Sequence, residues 1–264
     1  GIGTLDIPGC FAMTETGHGS NVRDLQTVAR YEPDQQEFVI HTPCLEARKD
    51  WIGNAALHGR MATVFAQLEV GGTEHGVHAF VVPIRDESGV TLPGITITDR
   101  SAKVGLNGVD NGTIEFDRVR VPRESLLNRF GEVAPDGTYT SPITSPGRRF
   151  FTMLSTLVGG RVSIAAASVS TSKTALTIAV KYGDSRRQFG PANSPEVPLL
   201  EYTVHRLLLL PRLATTYGLH FAVQDLIERY AAQTKKSAYD ARSLEVDAAG
   251  LKAYASIHEM RVIQ

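Results

Sequence analysis

Cysteine and tryptophan are scarce: Cys10, Cys44 and Trp51 are all that 264 residues hold of the two. Two cysteines cannot staple a chain of this size, and they lack metal-ligand spacing. They read as free thiols of a reducing compartment. The eight histidines are scattered with no His-Glu-x-x-His pair, so no metal is expected. A block of one sign of charge is also missing. The 27 basic and 28 acidic residues are interspersed, which argues against a nucleic-acid partner and suits an ordinary solvated surface. The apolar runs fall far short of a membrane span. There is no initiating Met and no signal-peptide pattern, and "EMRVIQ" stops inside a helix-like stretch, so a piece of a longer protein is expected. The length suffices for one large domain or two ordinary ones.

What is present changes period part-way along. Up to about residue 127 the chain reads as short strands: two extended runs around Pro-Asp-Gln-Gln at 33–36, two β-branched runs broken by Gly71-Gly72, then "GITIT" and "NGTIEFDRVRVP". Such spacing, with Gly and Pro turns, indicates a barrel or sandwich. Residues 128–149 form a Pro/Gly/Ser/Thr-rich connector. From 150 to 184 proline disappears, and one long buried helix is expected despite Gly159 and Gly160. A second helix carries Pro211 as an expected kink, and a third begins near Ser243. The expected architecture is α+β, with an antiparallel β-barrel over 1–127, a connector over 128–149 and an incomplete antiparallel helix bundle over 150–264.

One stretch stands out locally. "FAMTETGHGSN", residues 11–21, sets the hydroxyls of Thr14, Thr16 and Ser20 beside Gly17 and Gly19, which let backbone amides approach a bound group. On its own this is equally a cradle for an anion or ring edge and an ordinary turn.

The whole set of motifs is more specific. "CFAMTETGHGSNV", "KDWIGNAA", "LNGVDNGTIEFDRVRVPRESLLNRFG", "LVGGRVSIA" and "RRQFG" occur in one order. In that order and at those separations they resemble the acyl-CoA dehydrogenase and acyl-CoA oxidase superfamily. "GEVAPDGTYTSP" and "GVHAFVVPIRD" are similar to its oxidase branch, of the plant and actinobacterial kind. The resemblance spans essentially the whole chain. It implies the family's middle β-domain and the first part of its C-terminal helical domain, with the N-terminal helical domain and the end of the bundle outside these residues.

The resemblance implies FAD as cofactor and a fatty acyl-CoA as substrate, oxidised to the trans-2-enoyl thioester. Inert C–H bonds must then be acidified and held in position, which hydrogen bonds to the thioester carbonyl achieve. It assigns Thr14 to the pyrimidine edge of the flavin, Met13 to a place along the ring, and Ser20 to the CoA side or a flavin phosphate. Glu15 reads as structural. Trp51 matches the position beside the isoalloxazine, against the alternative that a lone indole is simply core. Ile52 and Gly53 belong to the same cofactor-binding strand. Oxidase relatives tend to have Gly at position 53 where dehydrogenases have a hydroxyl residue, which would open space for oxygen; a plain strand end is the alternative.

"RRQFG" matches a loop that reaches a partner subunit's FAD, with Arg186 suited to the diphosphate, Gln188 beside it and Phe189 near the adenosine. Cations answering a helix dipole are the alternative. FAD binding then requires a homodimer or higher homo-oligomer. Arg161 matches a substrate-side arginine of the dehydrogenases, or else serves a structural ion pair, since a buried charge needs a partner. Dehydrogenases often place an acid where Val158 stands, which departs from the pattern. The catalytic glutamate is expected beyond residue 264. Glu228, Glu245 and Glu259 read as helix-surface residues, and these residues alone are expected to be inactive.

The leading expectation is thus an oxidase using O2. The alternatives are a dehydrogenase passing electrons to an electron-transfer flavoprotein, and a non-catalytic scaffold that takes up no FAD. A bacterial cytoplasm is the first expectation for location, a peroxisome the alternative.

Overall fold

The computed structural model describes residues 4, 6–232 and 238–264. The chain divides into two compact units, Gly1–Met153 and Leu154–Gln264.

The first unit is built on two sheets. Strands β1 (Gly9–Ala12), β2 (Val28–Glu32), β3 (Glu37–His41), β5 (Met61–Val70), β6 (Thr73–Pro83) and β9 (Val119–Pro122) make the larger one, with β4 (Lys49–Gly53), β7 (Ile95–Asp99) and β8 (Asn111–Phe116) in the smaller. Most pairings are antiparallel, as alternation suggests. However, β1 and β2 both run parallel to β5, one after the other along the same edge, β1 against Met61–Val64 and β2 against Gln67–Glu69. Strand direction is not encoded in a period of two, so only the long crossovers reveal it. Inward residues of both sheets, among them Phe38, Phe80, Phe116, Ile52 and Ile114, share one core. Phe38 meets Phe80 edge-on and Tyr31 at a tilt, with ring centroids 5.0 and 5.1 Å apart. Gly71 and Gly72 (φ +56° and +77°) close the β5–β6 hairpin, both in the left-handed region that a two-residue turn of this twist demands.

The Pro/Gly-rich stretch after β9 is ordered. It holds a small hairpin of β10 (Glu132–Val133) and β11 (Tyr139–Thr140), followed by α1 (Pro146–Met153).

In the second unit α2 (Val158–Ser185) packs on α3 (Thr203–Ala231) and α4 (Ala238–Ile263). Small residues at the seams, Ala165 and Ala255 among them, let the helices approach one another around Val169, Leu219 and Val223. The single helix expected over 150–184 is instead two, because a 3-10 turn at Leu154–Leu157 separates α1 from α2. α2 is also buried along one stripe only, with Ile164, Ile178 and Tyr182 exposed. Pro211 is carried inside α3, where it removes one donor without ending the helix. No single helix among the described residues is long and apolar enough to cross a membrane.

Candidate cofactor-binding site

The loop after β1 is zipped to β4 and the residues leading into it. Asp50 N donates to Thr14 O (3.0 Å), Thr16 N to Arg48 O (2.9 Å) and Gly17 N to Glu46 O (2.8 Å). A Cβ on Gly17 would lie 3.1 Å from Glu46 Cβ, so this glycine allows the two chain segments to approach each other. Its amide is therefore spent on the protein itself, not kept for a bound group as the local pattern suggested. Gly19 has open space around it, and Ser20 is exposed at the end of the loop.

Beneath the loop lies a buried ion pair. Lys49 Nζ reaches Glu15 Oε1 at 3.0 Å, and neither side chain has solvent exposure. The ammonium also donates to Met13 O (3.1 Å) and Phe65 O (2.7 Å). Glu15 accepts in addition from Gln26 N (2.7 Å), Thr27 N (2.9 Å), Thr27 Oγ1 (2.6 Å) and, across a contact of 3.1 Å, meets His18 Nδ1. Burial raises the Glu15 pKa, but Lys49, the Thr27 hydroxyl and the two amides outweigh it and hold the carboxyl below its ordinary range. Every acceptor and donor in this cluster is used, so Glu15 and Lys49 shape the loop; they do no chemistry on a ligand.

Thr14, Trp51 and Gly53 come together on the solvent side of these anchors. Thr14 Oγ1 donates to Asp50 O (2.8 Å), so its hydroxyl proton is taken and its oxygen lone pairs remain for an incoming N–H. Among the described residues no acceptor meets the Thr14 amide. Trp51 sits in a β-bulge: Lys49 faces Ile114 and Ile52 faces Gly112, so Asp50 and Trp51 together oppose Thr113. Bulges re-aim a side chain, and Trp51, at φ +58°, presents an indole that is 56% exposed. The core alternative for this tryptophan is thereby set aside. Gly53 pairs with Asn111, and nothing lies within 4 Å of where its Cβ would stand. Met13 and Ile52 are buried, Ile52 in the barrel core, which leaves their backbones as the parts nearest this wall. An open backbone amide, an uncrowded glycine and an exposed indole fit a flat ring with a polar edge.

Three contributors escaped the sequence reading. Asp50, only 5% exposed, binds Thr16 Oγ1 (3.1 Å), the Trp51 amide (2.8 Å) and Arg100. Burial raises its pKa, but Arg100, Thr16 and the Trp51 amide together hold it below the ordinary carboxylate range. Arg100, just after β7, lies over the Trp51 ring. Asp110 of "VDNG" accepts from the amides of Ala56, Leu57 and His58 (2.9, 2.8 and 3.1 Å), locking the "GNAALHG" turn that ends β4. The proximity of two motifs in one resemblance could have suggested that last link; nothing in the sequence pointed to the other two.

The remaining expected residues belong to the second unit. Arg186 closes α2, its amide bonded to Tyr182 O. Gln188 N donates to Val197 O (3.1 Å) and its carbonyl accepts from the Tyr202 hydroxyl. Phe189, at φ +57°, is 71% exposed. The loop is thus an ordered hairpin-like turn presenting an apolar ring to solvent, more than a helix end alone requires. Arg161 is half-buried on α2, and among the described residues no acceptor meets it.

Residues 10–119 match the family model "Acyl-CoA dehydrogenase, middle domain", and residues 154–264 match "Acyl-CoA oxidase, C-alpha1 domain". The chain is 50% identical to "Acyl-coenzyme A oxidase 2, peroxisomal" of Arabidopsis thaliana over 272 residues, covering 100% of this chain and 39% of that relative. Among solved structures, acyl-CoA oxidase3 from Yarrowia lipolytica superposes with a TM-score of 0.87 at 37% identity, over 97% of this chain and 39% of that one. Acyl-CoA oxidase-1 of Caenorhabditis elegans, solved with FAD and ATP, gives 0.83 at 34% identity, over 97% and 38%. The chain therefore spans about two fifths of the length of these relatives. The relative named peroxisomal supports the peroxisomal alternative for location; the bacterial cytoplasm expected first finds no support. Motif order, fold and both domain matches agree: this chain belongs to the acyl-CoA dehydrogenase and oxidase superfamily, on its oxidase side.

Proposed function

We propose that the protein to which these residues belong is a peroxisomal, FAD-dependent acyl-CoA oxidase that converts a fatty acyl-CoA to the trans-2-enoyl-CoA and reduces O2 to hydrogen peroxide. The observation that carries this reading is the wall formed by Thr14, Trp51 and Gly53, joined through Asp50. In it the β-unit, residues 1–127, holds the flavin and thioester, the segment 128–149 is a connector, and 150–264 is part of the helical domain.

The chemistry that bound FAD supplies is acceptance of a hydride equivalent from C3 and its transfer to oxygen. The chain's residues bind and orient. Thr14 offers its amide as donor and its hydroxyl oxygen as acceptor to the polar edge of the ring, and Trp51 flanks the ring. Met13 and Ile52 contribute backbone. Gly53 keeps the adjoining space free of side-chain atoms, which favours an oxidase over a dehydrogenase. Ser20 meets the CoA side or a flavin phosphate, and Arg161 serves the substrate side. Arg186, Gln188 and Phe189 reach the FAD of a second subunit in a homodimer. The catalytic base is a glutamate outside these 264 residues.

The test is an aerobic and an anaerobic assay of the full-length protein with a saturated acyl-CoA. Yellow protein that forms peroxide and enoyl-CoA in equal amounts supports the reading. Colourless protein, or turnover only with an electron-transfer flavoprotein, overturns it.

A further inference from the structure

The Trp51 indole depends on support from two charged residues. A bulky side chain at φ +58° is disfavoured and persists only where its surroundings over-determine it. The surroundings here are one carboxylate. Asp50 Oδ1 accepts from the Trp51 amide at 2.8 Å, which fixes the backbone of the bulge. The same carboxylate grips Arg100 through two donors, Nε at 2.7 Å and Nη2. Arg100 is anchored in turn, its amide donating to the carbonyl of Asn111, the first residue of β8, at 3.0 Å. The guanidinium then lies 5.4 Å from the centre of the indole, on one face of it.

We infer that Asp50 and Arg100 are positioning residues for Trp51: the carboxylate sets the backbone and the guanidinium covers one indole face, leaving the other for a flat aromatic ligand. The inference of a flavin as that ligand rests on the proposed function; the clamp itself does not. Thr16 Oγ1, 3.1 Å from Asp50 Oδ2, ties the loop that carries Thr14 into the same carboxylate. One buried anion therefore sets the loop, the bulge and the ring together. Two parallel donors and a planar stack are properties of arginine, not lysine, so Arg100→Lys should restore only part of the effect.

Because Trp51 is the only tryptophan, its fluorescence reports on this ring alone in the 264-residue chain. Acrylamide quenching measures its accessibility, and quenching by riboflavin, which lacks the diphosphate, probes the free face. Arg100→Gln and Asp50→Asn are each expected to raise acrylamide quenching about twofold and to weaken riboflavin binding about fivefold. Arg100→Lys should fall between these variants and the unaltered chain, with far-UV circular dichroism unchanged. Unaltered quenching and riboflavin affinity in Arg100→Gln overturn the clamp. So does a change that merely follows a loss of helix and strand signal, with Arg100→Lys no better than Arg100→Gln. If riboflavin leaves the unaltered chain unquenched while Arg100→Gln still frees the indole, the clamp stands and the flavin reading is what fails.

Discussion

At the residue scale, the consequential side chains are charged ones placed where water does not reach. Removing one member of a buried pair leaves the other uncompensated, so Lys49→Met should cost about 3–5 kcal/mol of unfolding free energy. Chemical denaturation measures this, and Glu15→Gln combined with Lys49→Met should recover part of the loss. The depressed Glu15 and Asp50 carboxyls give a pH signature. Both bind protons more weakly folded than unfolded. Their stabilisation is therefore complete above the unfolded carboxylate range and is lost as pH falls through the lower folded values. Acid titrations of Asp50→Asn should begin to unfold from a lower starting stability with a shallower slope. Gly53 is the opposite case. With no atom near its missing Cβ and a strand around it, Gly53→Thr should change stability by no more than about 0.5 kcal/mol. Under the proposed function, the same change in the full-length protein should slow flavin reoxidation by oxygen; unchanged oxygen kinetics in a stable variant would take that role from Gly53.

At the element scale, the connector is held by a polar cluster rather than by length of secondary structure. His78 of β6, 1% exposed, meets the Tyr139 hydroxyl of β11 at 2.9 Å and Gly76 O at 3.0 Å. Arg149 of α1 lies over the Tyr139 ring and donates to His75 O. A Cβ at Gly131 would stand 2.5 Å from the Tyr139 hydroxyl and 2.7 Å from His78 Nε2, so Gly131→Ala should loosen the hairpin of β10 and β11. Burial lowers the His78 pKa to about 4, which keeps the folded imidazole neutral. The unfolded chain then binds the extra proton between the ordinary histidine value and about 4. Stability should fall as pH drops through that window, by on the order of 3 kcal/mol. Urea unfolding at the two ends of the window measures it, and His78→Gln should flatten that slope while leaving the carboxylate-driven loss at lower pH in place.

At the scale of the whole molecule, the chain forms two units with separate cores: one carries Thr14, Trp51 and Gly53, the other the Arg186–Phe189 loop. If that loop serves a neighbouring subunit, Arg186→Gln in the full-length protein should weaken FAD binding about tenfold or more while leaving the fold alone, since a guanidinium–phosphate pair is a strong charge-assisted contact. Mixed dimers of an Arg186→Gln subunit with a Trp51→Ala subunit should then keep one tight FAD site, because both defects fall on the same site. Two weakened sites would show that the loop acts within its own subunit.

Much of this was readable along the chain because it is written in local terms. Gly71-Gly72 announces a two-residue hairpin, alternation at 111–121 announces strands, and the run after 158 announces a helix. The spacing of Thr14, Trp51 and Arg186 carries the family. Other features have no local signature. "ARKDW" looks like a solvated surface stretch. Yet Lys49 is buried because Met13 and Glu15 of the loop after β1 and Phe65 of β5 bring it acceptors, and Asp50 is buried because Arg100 arrives from the other edge of its sheet. Strand direction along β5 likewise follows from the tertiary pairing. Residue order thus determined the elements, their turns and the kinship of the chain. Which charges lie in the interior, and hence what holds the indole in place, was decided only by tertiary structure, because a buried charge is tolerable only where distant segments converge to neutralise it.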